Sequence, residues 1–483
     1  MNVHNSLKWW EQYGQYVLMA TGYHDQVIVE ASKCTYRDAD GNKYLDMNSG
    51  TMCALVGHHH PELIDRVSKQ LREVVHTGTS FLSPIVFEAS AKLAAICPGT
   101  LQKSVFLATG AEANEYALRM AKAYTGKSSV LALTKGYSGL TLATASLTSG
   151  GRRASPRVPG CGFILTPDAS KCPPDRTLEQ WTLELFQHSL ELNHGILDDV
   201  AAIIVEPIPS TGGMIILPEG FLRMLRGLAD ELGALLISDE AQTGLGRTGR
   251  WWGIDHEGVQ PDILCAAKGM GGGFPVSAVI TTPQVADTIA LRMSHYSSHQ
   301  SDQLAAAAAL AVLEIVEREG LVERAATTGE YLISQLGQVA ARRPELQGIR
   351  GRGLMVGFDV VPGEASALTR RTVGEAIVEH LHERGVHVHP IQNKFRIMPP
   401  LTIERAEVDQ FVSVLDDALA ALEGGSLKVH GPRNQYTRAI YDGRSTPKGV
   451  RGAVKWAWTH SPQAVVKKLR KRFSSDGTER KQV

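Results

Sequence analysis

Cysteine is scarce in this sequence, and the few cysteines are scattered. The 483 residues include six cysteines, none of them in a C-x-x-C pair or in the close spacing of a disulfide-rich domain. Small secreted domains and structural zinc modules depend on such spacing, so neither class is expected. Free thiols persist in reducing compartments, and we therefore predict a cytoplasmic protein.

Long apolar segments are also lacking. The N-terminal stretch has no continuous apolar core after its first basic residue and is not typical of a secretory signal. The longest apolar run extends from Leu304 to Val316, which is shorter than the roughly 20 residues needed to cross a bilayer. We therefore do not expect a secreted or membrane-spanning protein.

A net charge is absent as well, because 50 basic residues are balanced by 50 acidic ones. This balance disfavours a protein that coats nucleic acid, and no nucleic-acid partner is predicted. The tail differs, since residues 426–483 carry 14 Lys or Arg against 3 Asp or Glu. We favour a solvated extension lying against the acidic body, and the alternative is a basic amphipathic patch that contacts an anionic membrane.

Apolar segments of strand type alternate with helical patterns through the middle of the chain. The strand-type segments are SVFLAT, SVLALT, AAIIVE, ALLISDE and DILCAAK. Continuous apolar strands separated by helices are typical of a parallel sheet covered on both faces. The predicted fold class is therefore α/β.

The same patterns predict the domain organisation. Residues 1–60, which include the β patterns QVIVEAS and KYLDM, contribute to a small domain, and residues 61–304 form a large domain. Residues 305–424 complete the small domain with two helical stretches, the strands LMVGFDVV, HVHPI and KFRIMPP, and a closing helix. Residues 425–483 form the basic extension, which follows a glycine-rich linker.

Polar residues follow three of the predicted strands at the point where each strand ends. Asp239 ends one strand, Lys268 follows a second and Thr109-Gly110-Ala111 follow a third. Ligands of open parallel sheets bind at the carboxyl ends of the strands. We therefore expect these residues to meet at one site.

Each of these residues has a functional and a structural interpretation. Lys268 precedes several glycines and is either a carbonyl nucleophile or a lysine extending from a strand end. Asp239 either faces a pyridinium nitrogen or caps a helix. The segment from Thr109 to Ala111 either binds a phosphate at a helix start or only caps that helix. Together, the functional interpretations describe a pyridoxal phosphate site.

Five segments resemble motifs of the class III aminotransferases, and they occur in that family's order. They are LATGAEANEYALRMAKAYTGK (107–127), VEPIPSTGG (205–213), DEAQTGLGRTG (239–249), PDILCAAKGMGGGFPVSAV (261–279) and RGRGLMVG (350–357). The resemblance implies a pyridoxal-phosphate enzyme of fold type I with a mostly parallel seven-stranded sheet. It also implies a homodimer or a dimer of dimers with shared active sites.

The resemblance assigns roles to individual residues. It implies that Lys268 holds the cofactor as a Schiff base and that Asp239 faces the pyridine nitrogen. Ser298, which stands where the family usually has threonine, would contact the phosphate bound by the other subunit. The further cofactor contacts implied are the phosphate loop Thr109, Gly110 and Ala111, the stacking residue Tyr137, the pocket residue Glu206, and Gln242 near the 3-hydroxyl group.

Several stretches, among them HQSDQ and FRIMPPLT, resemble those of 2,2-dialkylglycine decarboxylases within the family. This likeness implies that Arg396 receives the substrate carboxylate, a task that suits the two parallel donors of a guanidinium. The alternative is an exposed strand arginine. Thr51 stands where those decarboxylases have a glutamine, which weakens the case for decarboxylation. The predicted substrate contacts are Arg396, Thr51, Met52 and Thr211.

The segment Gly57-His58-His59-His60-Pro61 invites a metal-site interpretation, because clustered imidazoles bind zinc or nickel. The family has a similar turn at this place, and no group with zinc-site spacing completes the ligand set. We therefore expect no metal.

The predicted reaction is the transfer of an amino group from an amine or amino acid donor to a 2-oxo acid. A decarboxylation-dependent transamination and an amino-acid racemisation are the enzymatic alternatives. A non-catalytic scaffold with the same fold is disfavoured, because Lys268 is intact and residues 1–30 are too few for a DNA-binding module.

Overall fold

The computed structural model describes residues 5–20, 23–149, 157–363, 368–369 and 372–427. The predicted basic extension therefore lies outside the described residues from position 428 onward. The described residues of Met1–Val29 and Asp38–Gly41 belong to one compact unit, and those of Glu30–Arg37 and Asn42–Val429 belong to a second.

The first unit contains helix α1 (Ser6–Tyr13). The Asn5 side chain caps this helix, because its Oδ1 accepts the N–H of Leu7 at 2.9 Å. The N–H of Ser6 lies 3.3 Å from both carboxylate oxygens of Asp40. Side-chain acceptors thus satisfy the first backbone donors of the helix.

Three short strands follow, β1 (Ile28–Ser32), β2 (Thr35–Asp38) and β3 (Lys43–Asp46). Strand β2 pairs antiparallel with β3. The predicted strands in QVIVEAS and KYLDM are confirmed.

A seven-stranded sheet is the centre of the second unit. Its strands are β4 (Lys103–Leu107), β5 (Ser129–Leu133), β6 (Cys161–Ile164), β7 (Val200–Val205), β8 (Leu235–Asp239), β9 (Ile263–Ala266) and β10 (Ser277–Thr281). They are ordered β4-β10-β9-β8-β7-β5-β6, and only β10 is antiparallel to its neighbours. Strand β4 therefore runs in the same direction as β8 and β9, so their carboxyl ends lie at one edge. The predicted mostly parallel seven-stranded sheet is confirmed.

Both faces of this sheet are buried. In β8, Leu236 packs into one apolar core, while its neighbours Leu235 and Ile237 pack into another on the opposite face. Helices supply the other side of each core. The helices as far as α10 are the single turn α2 (Ser49–Met52), α3 (Pro61–Glu73), α4 (Pro84–Ile96), α5 (Gly110–Thr125), α6 (Leu142–Leu147), α7 (Leu178–Asn193), α8 (Phe221–Glu231), α9 (Pro283–Ala290) and α10 (Gln303–Arg318).

Helix α10 confirms the helix predicted from Ala305 to Arg318. Its alanines from Ala306 to Ala309 are buried, and their small side chains allow close packing. Gly272, in the loop that follows Lys268, approaches this helix closely, because a Cβ there would lie 3.0 Å from Val312 Cγ2. The α10 helix thus supports the loop that carries Lys268.

The remaining elements complete two four-stranded sheets. They are α11 (Leu321–Ala340), β11 (Leu346–Arg352), β12 (Met355–Val360), α12 (Thr372–Glu383), β13 (Val386–His387), β14 (His389–Ile391), β15 (Lys394–Ile397) and α13 (Arg405–Glu423). One sheet is ordered β1-β2-β3-β13 and the other β11-β12-β15-β14. The strands predicted in LMVGFDVV, HVHPI and KFRIMPP and the closing helix are confirmed. Over the described ranges, no helix combines the length and apolar character needed to cross a bilayer.

Two glycines of α11 give a matched test of packing. A Cβ at Gly329 would lie 2.0 Å from the carbonyl oxygen of Gly353, whereas a Cβ at Gly337 would meet nothing within 4 Å. We expect Gly329→Ala to lower the free energy of unfolding by about 1–3 kcal/mol or more. Gly337→Ala should raise it by up to about 1 kcal/mol. Urea unfolding of both variants checks this, and equal effects would contradict the close approach of Gly329.

Candidate active site

Asp239 is the last residue of β8 and lies at the carboxyl edge of the large sheet. Its side chain is buried. Oδ2 accepts a hydrogen bond from Asn114 Nδ2 at 2.6 Å, and Oδ1 accepts the Ala241 N–H at 3.2 Å. Burial raises the pKa of this carboxyl, and the charge of Lys268 opposes that rise. A buried carboxylate of this kind favours a cationic partner.

Lys268 follows β9 by two residues and begins a 3-10 helix, Lys268–Gly271. Its φ of +50° is uncommon for a residue with a Cβ. A Cβ at Gly269 would lie 3.0 Å from Leu55 Cβ, so the loop packs closely against the segment that contains Leu55. Burial raises the pKa of both Asp239 and Glu206, and the charge of Lys268 opposes both rises. The amine therefore lies within electrostatic reach of both carboxyl groups.

The segment from Thr109 to Ala111 joins β4 to α5. Thr109 Oγ1 accepts the N–H of Glu112 at 3.2 Å, so its capping role is confirmed. A Cβ at Gly110 would lie 3.2 Å from Ala267 Cβ and 3.5 Å from Ala241 Cβ. The three strand-end loops therefore meet, as predicted, and the start of α5 is available to an anion.

Glu206 follows β7 and is buried. Its Oε1 accepts the backbone N–H of Tyr137 at 2.6 Å. Burial raises the pKa of Glu206 to about 8, and the charge of Asp239 adds to this rise. The Tyr137 hydroxyl also has a raised pKa, caused by burial and by the charge of Glu206. Tyr137, Glu206 and Asp239 thus belong to one electrostatic group.

Several buried polar atoms of the candidate site form no hydrogen bond within the described residues. They are Gln242 Oε1, Asn114 Oδ1 and Arg396 Nε. Buried polar atoms of folded proteins rarely remain unsatisfied. A phenolic hydroxyl could donate to Gln242 Oε1, and a carboxylate could accept from Arg396 Nε. A pyridoxal phosphate carrying a substrate has both groups, and its ring nitrogen would supply the cationic partner that Asp239 favours. The residues present therefore fit that cofactor.

Arg396 lies on β15 and is only 7% exposed, so the interpretation as an exposed strand arginine is wrong. Its Nη1 donates a hydrogen bond to Ser210 Oγ at 3.4 Å. Gly357 stands opposite Arg396 in the register of β12 and β15, and Met214 packs closely against it, because a Cβ at Gly357 would lie 2.6 Å from Met214 Cβ. Burial lowers the pKa of Arg396, whereas the charge of Glu206 opposes this.

The other predicted substrate contacts differ in exposure. Thr51 is exposed and belongs to the α2 turn, whereas Thr211 is partly buried in the loop after Ser210. The Met52 side chain is 3% exposed. It packs in a small apolar cluster with Ile208, Met214, Met355 and Met398. The Met52 side chain therefore faces this cluster.

Ser298 is exposed, in the segment before α10. Asp302 caps α10 and anchors this segment, because its Oδ2 lies 3.1 Å from His299 Nδ1 and 2.8 Å from His76 Nδ1. These three side chains are themselves potential metal ligands, and they form the one such cluster found in the described residues. An exposed hydroxyl at Ser298 suits a contact with another subunit, and that contact remains a prediction.

The histidines near Gly57 do not share a site. His58 Nε2 lies 2.8 Å from Asp46 Oδ2, while His60 Nε2 lies 3.4 Å from Glu319 Oε1. Their side chains have different partners, in line with a structural turn.

The profile of the family described as Aminotransferase class-III matches residues 18–419. The chain belongs to the class III aminotransferases. An uncharacterized aminotransferase of Schizosaccharomyces pombe is 37% identical over 422 residues, which cover 85% of this chain and 94% of that protein. Class III aminotransferases are pyridoxal-phosphate-dependent enzymes, so the predicted cofactor and enzyme class are confirmed.

Two further comparisons place this aminotransferase among related enzymes. A leucine/methionine racemase of Thermococcus litoralis is 32% identical over 412 residues, covering 83% of this chain and 92% of that protein. An amine transaminase from an uncultivated Pseudomonas species, solved with pyridoxal phosphate bound, is 31% identical with a TM-score of 0.75. That likeness covers 82% of this chain and 95% of the solved chain, and the fold type I prediction is confirmed.

Two residues of the aminotransferase site were not predicted from the sequence. Asn114 donates to Asp239, and it also donates to the backbone carbonyl of Ser138 at 2.9 Å. The one indication in the sequence is that Asn114 is a polar residue on an otherwise alanine-rich face of α5, next to Ala113 and Ala117. Arg247 lies within the DEAQTGLGRTG motif, but nothing in the sequence indicated that it is almost fully buried.

Glu206 makes the free energy of unfolding of the cofactor-free aminotransferase depend on pH. Its folded-state pKa of about 8 lies above the ordinary 4.5, so between these values the folded protein holds a proton that the unfolded chain releases. The free energy of unfolding should therefore fall as pH rises through this window. Glu206→Gln should remove a slope of up to about 1.4 kcal/mol per pH unit.

Urea unfolding between about pH 5 and pH 8 measures that slope. Glu219→Gln is the matched control, because the Glu219 side chain is 90% exposed. An unchanged slope in Glu206→Gln would show that Glu206 does not hold the proton.

Proposed function

We propose that Lys268, Asp239, Glu206 and Arg396 form the catalytic site, which moves an amino group from an amine or amino acid to a 2-oxo acid. The observation that carries this assignment is the position of Lys268. It follows β9 at the sheet edge where the neighbouring strand β8 ends in Asp239, and its charge acts on the buried carboxyls of Asp239 and Glu206.

Pyridoxal phosphate, when bound, supplies an electron sink that stabilises negative charge at the substrate carbon. Asp239 would hold the protonated ring nitrogen, and Gln242 would bind the ring hydroxyl through its free Oε1. The N–H groups at Gly110 and Ala111 would receive the phosphate at the start of α5. Tyr137 would cover the ring, since its backbone is fixed by Glu206.

Lys268 would hold the cofactor through Nζ, and its free amine would act as the base that removes the proton from the donor Cα. The tight packing of Gly269 and Gly272 supports this role, because it fixes the backbone from which the amine extends.

Arg396 would bind the carboxylate of the 2-oxo acid. Its guanidinium is held by Ser210 through Nη1, while Nε remains free. A carboxylate facing Nε and a second nitrogen gives the bidentate pair that arginine prefers.

We also infer a cytoplasmic homodimer or dimer of dimers. The exposed apolar side chains support association, because Leu291 is 91% and Tyr296 is 80% exposed within the segment that leads to Ser298. Large exposed apolar groups close together are typical of interaction surfaces. Ser298 would then contact the phosphate bound by the other subunit.

The experiment that tests the function is steady-state kinetics with a panel of amino donors and 2-oxo acids. Both half-reactions use one site, so parallel double-reciprocal lines are expected. Lys268→Ala should lower turnover by about a thousandfold and abolish the visible absorption of the protein-linked cofactor. Intersecting double-reciprocal lines would contradict a site shared by the two half-reactions. Full biological activity of Lys268→Ala would instead favour a non-catalytic scaffold.

The same assays separate the two alternatives. Carbon dioxide released from an α,α-dialkyl amino acid would indicate decarboxylation-dependent transamination. Solvent deuterium entering Cα without net loss of amine would indicate racemisation, the activity named for the Thermococcus relative. Either result would replace simple amino transfer as the function.

Arg396→Gln tests the carboxylate contact. Loss of a charge-assisted pair costs about 1.5–3 kcal/mol, so the KM of the 2-oxo acid should rise about 10- to 100-fold. Arg384→Gln is the control, since Arg384 is a surface residue with 43% side-chain exposure. An unchanged KM in Arg396→Gln would place the carboxylate elsewhere.

A further inference from the structure

The turn α2, which carries Thr51, has an unusual backbone. Ser49, Gly50, Thr51 and Met52 have φ angles of 42°, 56°, 62° and 67°. Four consecutive residues are thus left-handed, although only one of them is glycine. L-residues disfavour this conformation, so contacts from outside the turn must hold it.

Asp46, the last residue of β3, supplies the first set of contacts. Its Oδ1 accepts the N–H of Asn48 at 2.9 Å, and its Oδ2 accepts the N–H of Gly50 at 2.7 Å. His58 Nε2 lies 2.8 Å from the same Oδ2, and a Cβ at Gly50 would lie 3.4 Å from the His58 ring. Asp46 is 1% exposed. One buried carboxylate therefore fixes the entry to the turn, and His58 orients it.

The pKa of Asp46 agrees with this arrangement. Burial alone would raise the pKa, yet hydrogen bonding from His58 and the charge of His387 hold it below the ordinary value. Asp46 is therefore an anion that can accept several hydrogen bonds at once.

Arg247 supplies the second set of contacts. It is 1% exposed and donates to the backbone carbonyls of Leu354 and Pro399 and to Ser49 Oγ. Ser49 Oγ donates in turn to the carbonyl of Met398 at 2.7 Å. The turn is thereby tied to the end of β15, two residues beyond Arg396.

The far end of the turn lies against the lysine loop. The charge of Lys268 acts on the thiol of Cys53, which directly follows the turn. Leu55 packs on Gly269 and also accepts the N–H of Leu401. The turn therefore lies between the base and the strand that carries the carboxylate-binding arginine.

We propose that Asp46, oriented by His58 and assisted by Arg247, is a positioning residue that holds the α2 turn, and Thr51 with it, against the loop that carries Lys268 and thereby sets how the donor Cα is presented to the base. This inference rests on the proposed function for its catalytic consequence. The positioning itself is a property of the chain alone.

Three histidine variants test the proposal in the cofactor-loaded enzyme. The amide of Gln can replace His58 Nε2, whereas the shorter Asn cannot reach Asp46. We expect His58→Asn to accelerate hydrogen exchange at Asn48 and Gly50 at least about tenfold. His58→Gln should restore slow exchange. His60→Asn is the matched control, because His60 pairs with Glu319 instead.

Kinetics give the second measurement. His58→Asn should lower kcat with an amino donor about tenfold or more, while the KM of the 2-oxo acid and the cofactor content stay unchanged. His58→Gln should recover most of kcat. A proportional loss of cofactor content, or a His58→Gln enzyme as impaired as His58→Asn, would overturn the positioning role.

The two measurements separate this inference from the proposed function. Unchanged exchange in His58→Asn refutes the positioning role even if amino transfer is found. Absence of amino transfer in the natural enzyme refutes the proposed function, whereas accelerated exchange in His58→Asn would still support the contact between Asp46 and the turn.

Discussion

The charge of Lys268 beside two buried carboxyls is the interaction on which the site depends. Asp239 and Glu206 lie close enough that one raises the pKa of the other, and the lysine opposes both shifts. A single ammonium cannot balance two buried carboxylates, so one of them favours its protonated form. A ligand with a cationic ring nitrogen would restore the balance. The close packing at Gly110, Gly269 and Gly272 keeps these groups at the distances that make this coupling effective.

Much of this arrangement could be predicted from the sequence because it depends on local patterns. The central strands β7, β8 and β9 of the large sheet are buried along their whole length, so each appears as an apolar run, and Asp239 and Lys268 stand out where β8 and β9 end. Parallel direction then brings those ends together without knowledge of any particular contact. Arg396 was harder to judge from pattern alone, since only the structure shows that its strand is buried beside Ser210 and Gly357.

The parts that could not be predicted depend on contacts between residues distant in sequence. Asn114 and Asp239 are 125 positions apart, and Arg247 reaches Leu354 and Pro399 across more than 100. The α2 turn runs against local preference, because a left-handed conformation costs about 1–2 kcal/mol for each residue with a Cβ. No reading of the sequence around Thr51 would favour such a turn.

The locally determined strand ends and the turn held by long-range contacts have different roles in the site. The proposed cofactor contacts lie at strand ends and at a helix start, which are set by local pattern and by the direction of the sheet. The proposed surroundings of the substrate carbon include a strained turn held by Asp46, His58 and Arg247, whose side chains need not touch the cofactor. Substitutions in or behind the turn can therefore alter how the substrate is held while Lys268 and Asp239 remain in place. The strain is confined to a segment that the large sheet does not require, so the turn can change while the cofactor site keeps its structure.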